Sequence, residues 1–146
     1  MKIAIGSDHL GLELKKKIIS RFSGASYQFE DYGTYDAEPV DYPDIGLKVA
    51  AAVASGQEKR GILICGTGIG MAITANKVKG VFAAVCHDLY STERSILSNN
   101  IQIMCLGALV IGPAATLALV DQWLKLEFKN SPSVRKVAKI KAIENQ

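Results

Sequence analysis

Residues 61–77, GILICGTGIGMAITANK, restrict the fold more than any other part of the chain. Gly61 to Ile64 is an apolar run short enough for a strand buried on both faces, and Met71, Ala72, Ile73 and Ala75 resume at helical spacing. Between them lies Cys65-Gly66-Thr67-Gly68-Ile69-Gly70, a glycine loop that joins strand to helix. Glycines at 66, 68 and 70 let the backbone approach a ligand closely, and unpaired amides at a helix start point at an anion. A thiol at the strand end is then a candidate base or nucleophile. The spacing matches neither G-x-G-x-x-G nor G-x-x-x-x-G-K-[ST], so a dinucleotide or P-loop nucleotide is not favoured.

The rest of the chain repeats the alternation of strand and helix. Met1 to Gly6 reads as a strand ending in Ser7-Asp8-His9, followed by a helix with Leu10, Leu14, Ile18 and Phe22 on its apolar side and Lys15, Lys16 and Lys17 opposite. Tyr27 to Asp31 is a second extended stretch, residues 32–42 a polar loop, and Pro43 a helix start, with Val49, Ala50 and Val53 buried and Gly56 as the stop. Strands at Val81–Cys86 and Ile101–Leu106 alternate with helices at about Ser91–Ser98 and Pro113–Leu126. Continuous apolar strands separated by helices predict a parallel sheet covered on both faces. The expected fold is therefore a three-layer αβα sandwich, a doubly wound, Rossmann-like sheet of five strands in one domain, 1–146. Ligands bind such sheets beyond the carboxyl ends of the strands, which puts Ser7-Asp8-His9, the Cys65 loop and His87-Asp88 on one rim. His87-Asp88 is read as a helix cap or loop pair, and Cys86, Cys105 and Trp123 as core.

The C-terminal tail, 128–146, predicts a basic helix with Val134, Val137, Ile140 and Ile143 on one side. Its apolar stripe suits packing on a second subunit or capping of its own domain. Three widely spaced cysteines and two histidines offer no metal-ligand pattern and predict reduced thiols in the cytoplasm, and the MKIAIGSDH start shows no signal-peptide region. A formal charge of +3, without a basic stripe among aromatics, gives no support to nucleic-acid binding. The uncharged run from 101 to 120 is interrupted by Gly112-Pro113 and reads as core rather than as a membrane span.

GSDHLGLELK, DYGTY, DYPDIG, ICGTGIGMAITANK, YSTERSILSNN and GALVIG together make the chain resemble the ribose-5-phosphate isomerase B and galactose-6-phosphate isomerase family of sugar-phosphate isomerases over its whole length. The resemblance implies a cofactor-free, metal-free aldose–ketose isomerase, active as a homodimer or homotetramer with sites between subunits. It makes Cys65 the base that moves a proton between C1 and C2. It assigns Thr67, with Gly66, Gly68, Ile69 and Gly70, to the developing enediolate, and Asp8 and His9 to sugar hydroxyls. Asn99 comes from the partner chain, and Lys136 stands at a phosphate position.

Three residues depart from the family pattern. Ser98 occupies the place of a ring-opening histidine, and Leu109 and Pro132 occupy places of phosphate-binding arginines. A leucine or proline cannot replace a guanidinium that grips phosphate through two hydrogen bonds. Either His9 opens the ring and Arg135, Lys136 or Lys139 takes the phosphate, or the substrate is not ribose 5-phosphate. A tetrose 4-phosphate needs no ring opening, and a hexose 6-phosphate is a further option. A phospho-sugar-binding or non-catalytic partner subunit is the non-enzyme reading.

Overall fold

The computed structural model describes residues 1–145, so Gln146, the last residue of the expected domain, lies outside the described residues. Five strands, β1 (Lys2–Ser7), β2 (Gln28–Asp31), β3 (Arg60–Cys65), β4 (Ala83–Val85) and β5 (Ile103–Gly107), form one parallel sheet in the order β2-β1-β3-β5-β4. Six helices connect and flank them: α1 (Leu12–Phe22), α2 (Tyr42–Ala54), α3 (Ile69–Ala75), α4 (Leu89–Leu97), α5 (Pro113–Lys125) and α6 (Ser133–Ile143). The expected doubly wound αβα sandwich is the observed fold.

Side-chain alternation along the buried strands divides the interior in two. Ile3, Ile5, Ile62, Ile64, Met104 and Leu106 pack with Leu14, Ile18, Ile96, Leu119 and Trp123 of α1, α4 and α5. Ala4, Leu63, Cys65, Ile103 and Cys105 pack with Ile45, Val49, Met71 and Ala75 of α2 and α3. The central strands β1, β3 and β5 thus feed both cores, which is why their middles are apolar without interruption, whereas the edge strand β2 contributes only Phe29, to the first core. Cys65 is the rim residue of the second core.

Several expectations need correction. Leu10 is not on the buried stripe of α1; it lies in a short 3-10 turn, His9–Gly11, and is exposed at the rim. Lys15 is not opposite that stripe but buried, at 1% exposure. Its ammonium donates to Asp31 Oδ1 at 2.7 Å and to the Thr34 carbonyl, and lies 5.1 Å from the centre of the Tyr35 ring. A lysine can serve the interior only when its charge is met, and this pair straps residues 31–35 across the end of β1. Ile73 is exposed, and the strand expected over Val81–Cys86 shortens to Ala83–Val85 because the edge position pairs on one side only. No helix among the described residues is long and apolar enough to cross a membrane.

In α6 only Val137 is buried, while Val134, Ile140 and Ile143 are exposed. The helix is tied to its own chain at its far end, where Glu144 Oε1 accepts from the Gly80 amide at 3.0 Å and Lys79 donates to Asn145 at 2.7 Å.

Candidate active site

The site is assembled at the carboxyl rim by the pairing of β1, β3 and β5. Ser7 lies opposite Ile64, and Cys65 opposite Gly107. The Asp8 amide donates to the Ile64 carbonyl at 3.1 Å, and the Ala108 amide to the Cys65 carbonyl at 2.8 Å. Three chain segments distant in sequence therefore meet around one cysteine.

Cys65 is 5% exposed, with its sulfur held by the Gly68 amide at 3.1 Å. That contact requires the loop to turn back at once, and Gly68 does so at φ +79, packed 3.0 Å from the Leu106 backbone as measured from an added Cβ. An L side chain fits neither the dihedral nor the space. The loop amides of Gly66, Thr67 and Gly70 make no hydrogen bond among the described residues. These donors are available to an oxyanion. α3 has only seven residues, so the local amides, rather than a long helix dipole, supply the positive potential. Thr67 is exposed and its hydroxyl accepts from the Ile69 amide at 3.3 Å.

Asp8 is buried and its Oδ1 accepts from the Gly11 amide at 3.1 Å, capping the 3-10 turn. The capping role and the expected place at the rim thus coincide in one side chain. His9 Nδ1 accepts from the Val40 amide at 3.3 Å, which leaves Nε2 as the proton-bearing nitrogen of the neutral ring. Asp88 caps α4 through the Ser91 amide at 2.7 Å, as expected, and His87 Nε2 accepts from the Gly107 amide at 2.8 Å. The Asp88 carboxyl is held below its usual range chiefly by that Ser91 hydrogen bond, and burial holds His87 below the usual histidine value.

Tyr42 is a rim residue that sequence reasoning missed. A Cβ on Gly70 would lie 2.4 Å from its ring, so the ring covers the loop directly. The Tyr-Pro start of α2 was the available signal, since a residue at a helix start beside the sheet's rim faces the ligand region.

Ser98, Asn99 and Lys136 do not join this group within one chain. α4 leaves the rim after β4 and runs back for nine residues, about 13 Å at 1.5 Å per residue, so Ser98 and Asn99 follow its far end. Lys136 is exposed on α6. Around the loop itself, Leu10, Ile69, Leu109 and Val110 are exposed apolar side chains, Leu109 at 73%. Among the described residues no cluster of three or more His, Cys, Asp or Glu side chains could hold a metal ion.

Comparison with known proteins gives a consistent result. Residues 3–140 match the family described as Ribose/Galactose Isomerase. The ribose-5-P isomerase B of Listeria innocua is 49% identical, over all of this chain and 99% of that one. A D-erythrulose-4-phosphate isomerase of Pectobacterium atrosepticum is 45% identical, over all of this chain and 97% of the relative. The solved structure of Clostridium thermocellum ribose-5-phosphate isomerase B superposes with a TM-score of 0.96 at 49% identity, covering 99% of this chain and 98% of the other. The chain belongs to the ribose/galactose isomerase family.

Proposed function

We propose that this isomerase interconverts an aldose phosphate and a ketose phosphate through an enediol or enediolate, with Cys65 as the base. The observation that carries the reading is the Gly68 amide on the Cys65 sulfur at 3.1 Å, beside loop amides without internal partners. Removing a proton from the carbon beside a carbonyl builds negative charge on oxygen. Donors already fixed where that charge appears do not have to reorganise, and one of them is worth about 3–4 kcal/mol in the transition state. Thr67, with Gly66, Gly68, Ile69 and Gly70, surrounds the enediolate, and Asp8 and His9 hold sugar hydroxyls. No cofactor or metal takes part in this chemistry.

Each site is completed by a second copy of the chain, in a homodimer or homotetramer. The exposed apolar side chains Leu10, Ile69, Leu109 and Val110 around the loop favour burial against another protomer. The partner then brings Ser98, Asn99 and Lys136. Three free, buried cysteines suit the reducing cytoplasm.

The default substrate pair is ribose 5-phosphate and ribulose 5-phosphate, a reading in which His9 opens the ring through Nε2. The second reading is a tetrose 4-phosphate, which Ser98 in place of a ring-opening histidine favours, as does the 45% identity to an erythrulose-4-phosphate isomerase. A positioned base contributes about 10² to 10⁴ in rate. Cys65→Ala is expected to lose turnover by that factor while unfolding as the wild type does. Turnover on ribulose 5-phosphate, erythrulose 4-phosphate and tagatose 6-phosphate, with solvent deuterium entering beside the carbonyl, identifies the substrate. Inactivity on all three, or full turnover in Cys65→Ala, would defeat the reading.

A further inference from the structure

The loop segments that surround Cys65 carry no lysine or arginine of their own. Residues 7–11, 32–46, 65–73 and 107–112 contain none; of the α1 lysines that reach them, Lys15 is committed to Asp31 and Thr34, and Lys17 faces a cavity beside Leu10, Ala108 and Ile111. The partner subunit adds to these the cations it delivers, Lys136 at the expected phosphate position among them.

The segment expected from the partner ends in Asn99, and Asn99 shares a groove of about 260 Å³ with Arg94 along the open edge of β4. Ser91 and Ser95 line the same groove. The Ser95 hydroxyl is already committed to the Thr92 carbonyl at 2.7 Å. Arg94 is only partly committed: one terminal nitrogen meets Glu93 at 2.7 Å, while its Nε is buried and has no partner among the described residues. The second terminal nitrogen carries no hydrogen bond among the described residues and is not buried, so it is the donor an acceptor in the groove would meet. Cys86 on the same wall stays a neutral thiol, because burial pushes it up, and so adds no competing anion.

We propose that Arg94, delivered together with Asn99 across the subunit interface, is a specificity-determining residue that grips the phosphate of the substrate. The proposal rests on the placement of Asn99 in the partner's site. A phosphomonoester matches it in charge and in acceptor number, and a guanidinium stays protonated throughout the working pH range. Glu93 holds one terminal nitrogen of the half-exposed guanidinium, leaving the other terminal nitrogen, which has no partner among the described residues, for the ligand.

Steady-state kinetics of R94M, R94K, E93Q and C65A test this on the substrate that the wild type turns over. R94M is expected to raise KM roughly 10- to 100-fold, with kcat within about threefold, because ground-state and transition-state binding of the phosphate are lost alike. R94K recovers part of the loss, and E93Q, which keeps an acceptor for the guanidinium but not the charge, raises KM by less than R94M does. A KM in R94M within twofold of wild type, or an equal rise in E93Q, overturns the proposal. Loss of turnover in C65A alone leaves the Arg94 assignment intact.

A second measurement needs no turnover. Titration with inorganic phosphate, followed by thermal unfolding, is expected to stabilise wild type and C65A but not R94M or C65A/R94M. Should wild type turn over no sugar phosphate, the isomerase reading fails, and this titration alone decides on Arg94. No stabilisation of wild type by phosphate, or equal stabilisation of R94M, overturns the assignment.

Discussion

His87 Nε2 accepts the backbone proton of Gly107 at 2.8 Å, and Gly107 is the residue facing Cys65 across the β3–β5 ladder. A histidine at the end of the edge strand thus fixes the tip of β5, on which the Cys65 loop leans through the Ala108 amide. Protonating Nε2 would set a donor against a donor.

Burial holds the His87 pKa below its ordinary value, with Asp88 opposing only in part. The unfolded chain then binds more protons than the native one between that lowered value and about 6.5, so the stability contribution is complete above about pH 6.5 and falls as pH drops below it. H87Q removes the titration and keeps an acceptor. Midpoints of denaturant unfolding at pH 7.5 and 5.5 should show a smaller loss in H87Q than in wild type. Equal losses would mean that His87 is not the titrating group.

Two glycines separate packing from positioning. A Cβ on Gly107 would lie 2.7 Å from the Thr67 backbone, and a Cβ on Gly70 would lie 2.4 Å from the Tyr42 ring. Backbone cannot rotate away, whereas a half-exposed tyrosine can. G107A should cost about 2–3 kcal/mol and, by moving the loop, lower turnover by about 100-fold. G70A should cost no more than about 1 kcal/mol while raising KM. Chemical denaturation with kinetics on both variants checks the contrast, and matching stability losses would defeat it.

Lys15 is the buried strap of residues 31–35. Removing its charge leaves the Thr34 carbonyl without that donor and Asp31 Oδ1 with only the Gly33 amide at 2.9 Å. Breaking a fully buried pair costs about 3–5 kcal/mol, and Asp31 is partly solvated, so K15M should cost about 2–3 kcal/mol. Urea unfolding measures it, and a cost under about 0.5 kcal/mol would show that water replaces the ammonium.

The layout of the chain was present in the sequence because it follows from local rules. Apolar runs such as Gly61–Ile64, the helix stripe of Leu14 and Ile18, and the glycine loop after Cys65 need no distant partner to be recognised, and together they specified a parallel αβα sheet and its binding rim. Tertiary structure decided what depends on residues far apart in the chain. Lys15 reads as one of three surface lysines until Asp31 and Thr34 arrive beside it from another strand. Leu10 belongs to a helical stripe on paper, yet Asp8 caps a turn that rotates it to the rim. Tyr42 covers Gly70 only once α2 and α3 pack together, and Arg94 meets Asn99 only across a helix surface bordered by β4. Hydrophobic periodicity records which face is buried, while charge pairing and close backbone approach depend on the register of strands that only the folded sheet sets.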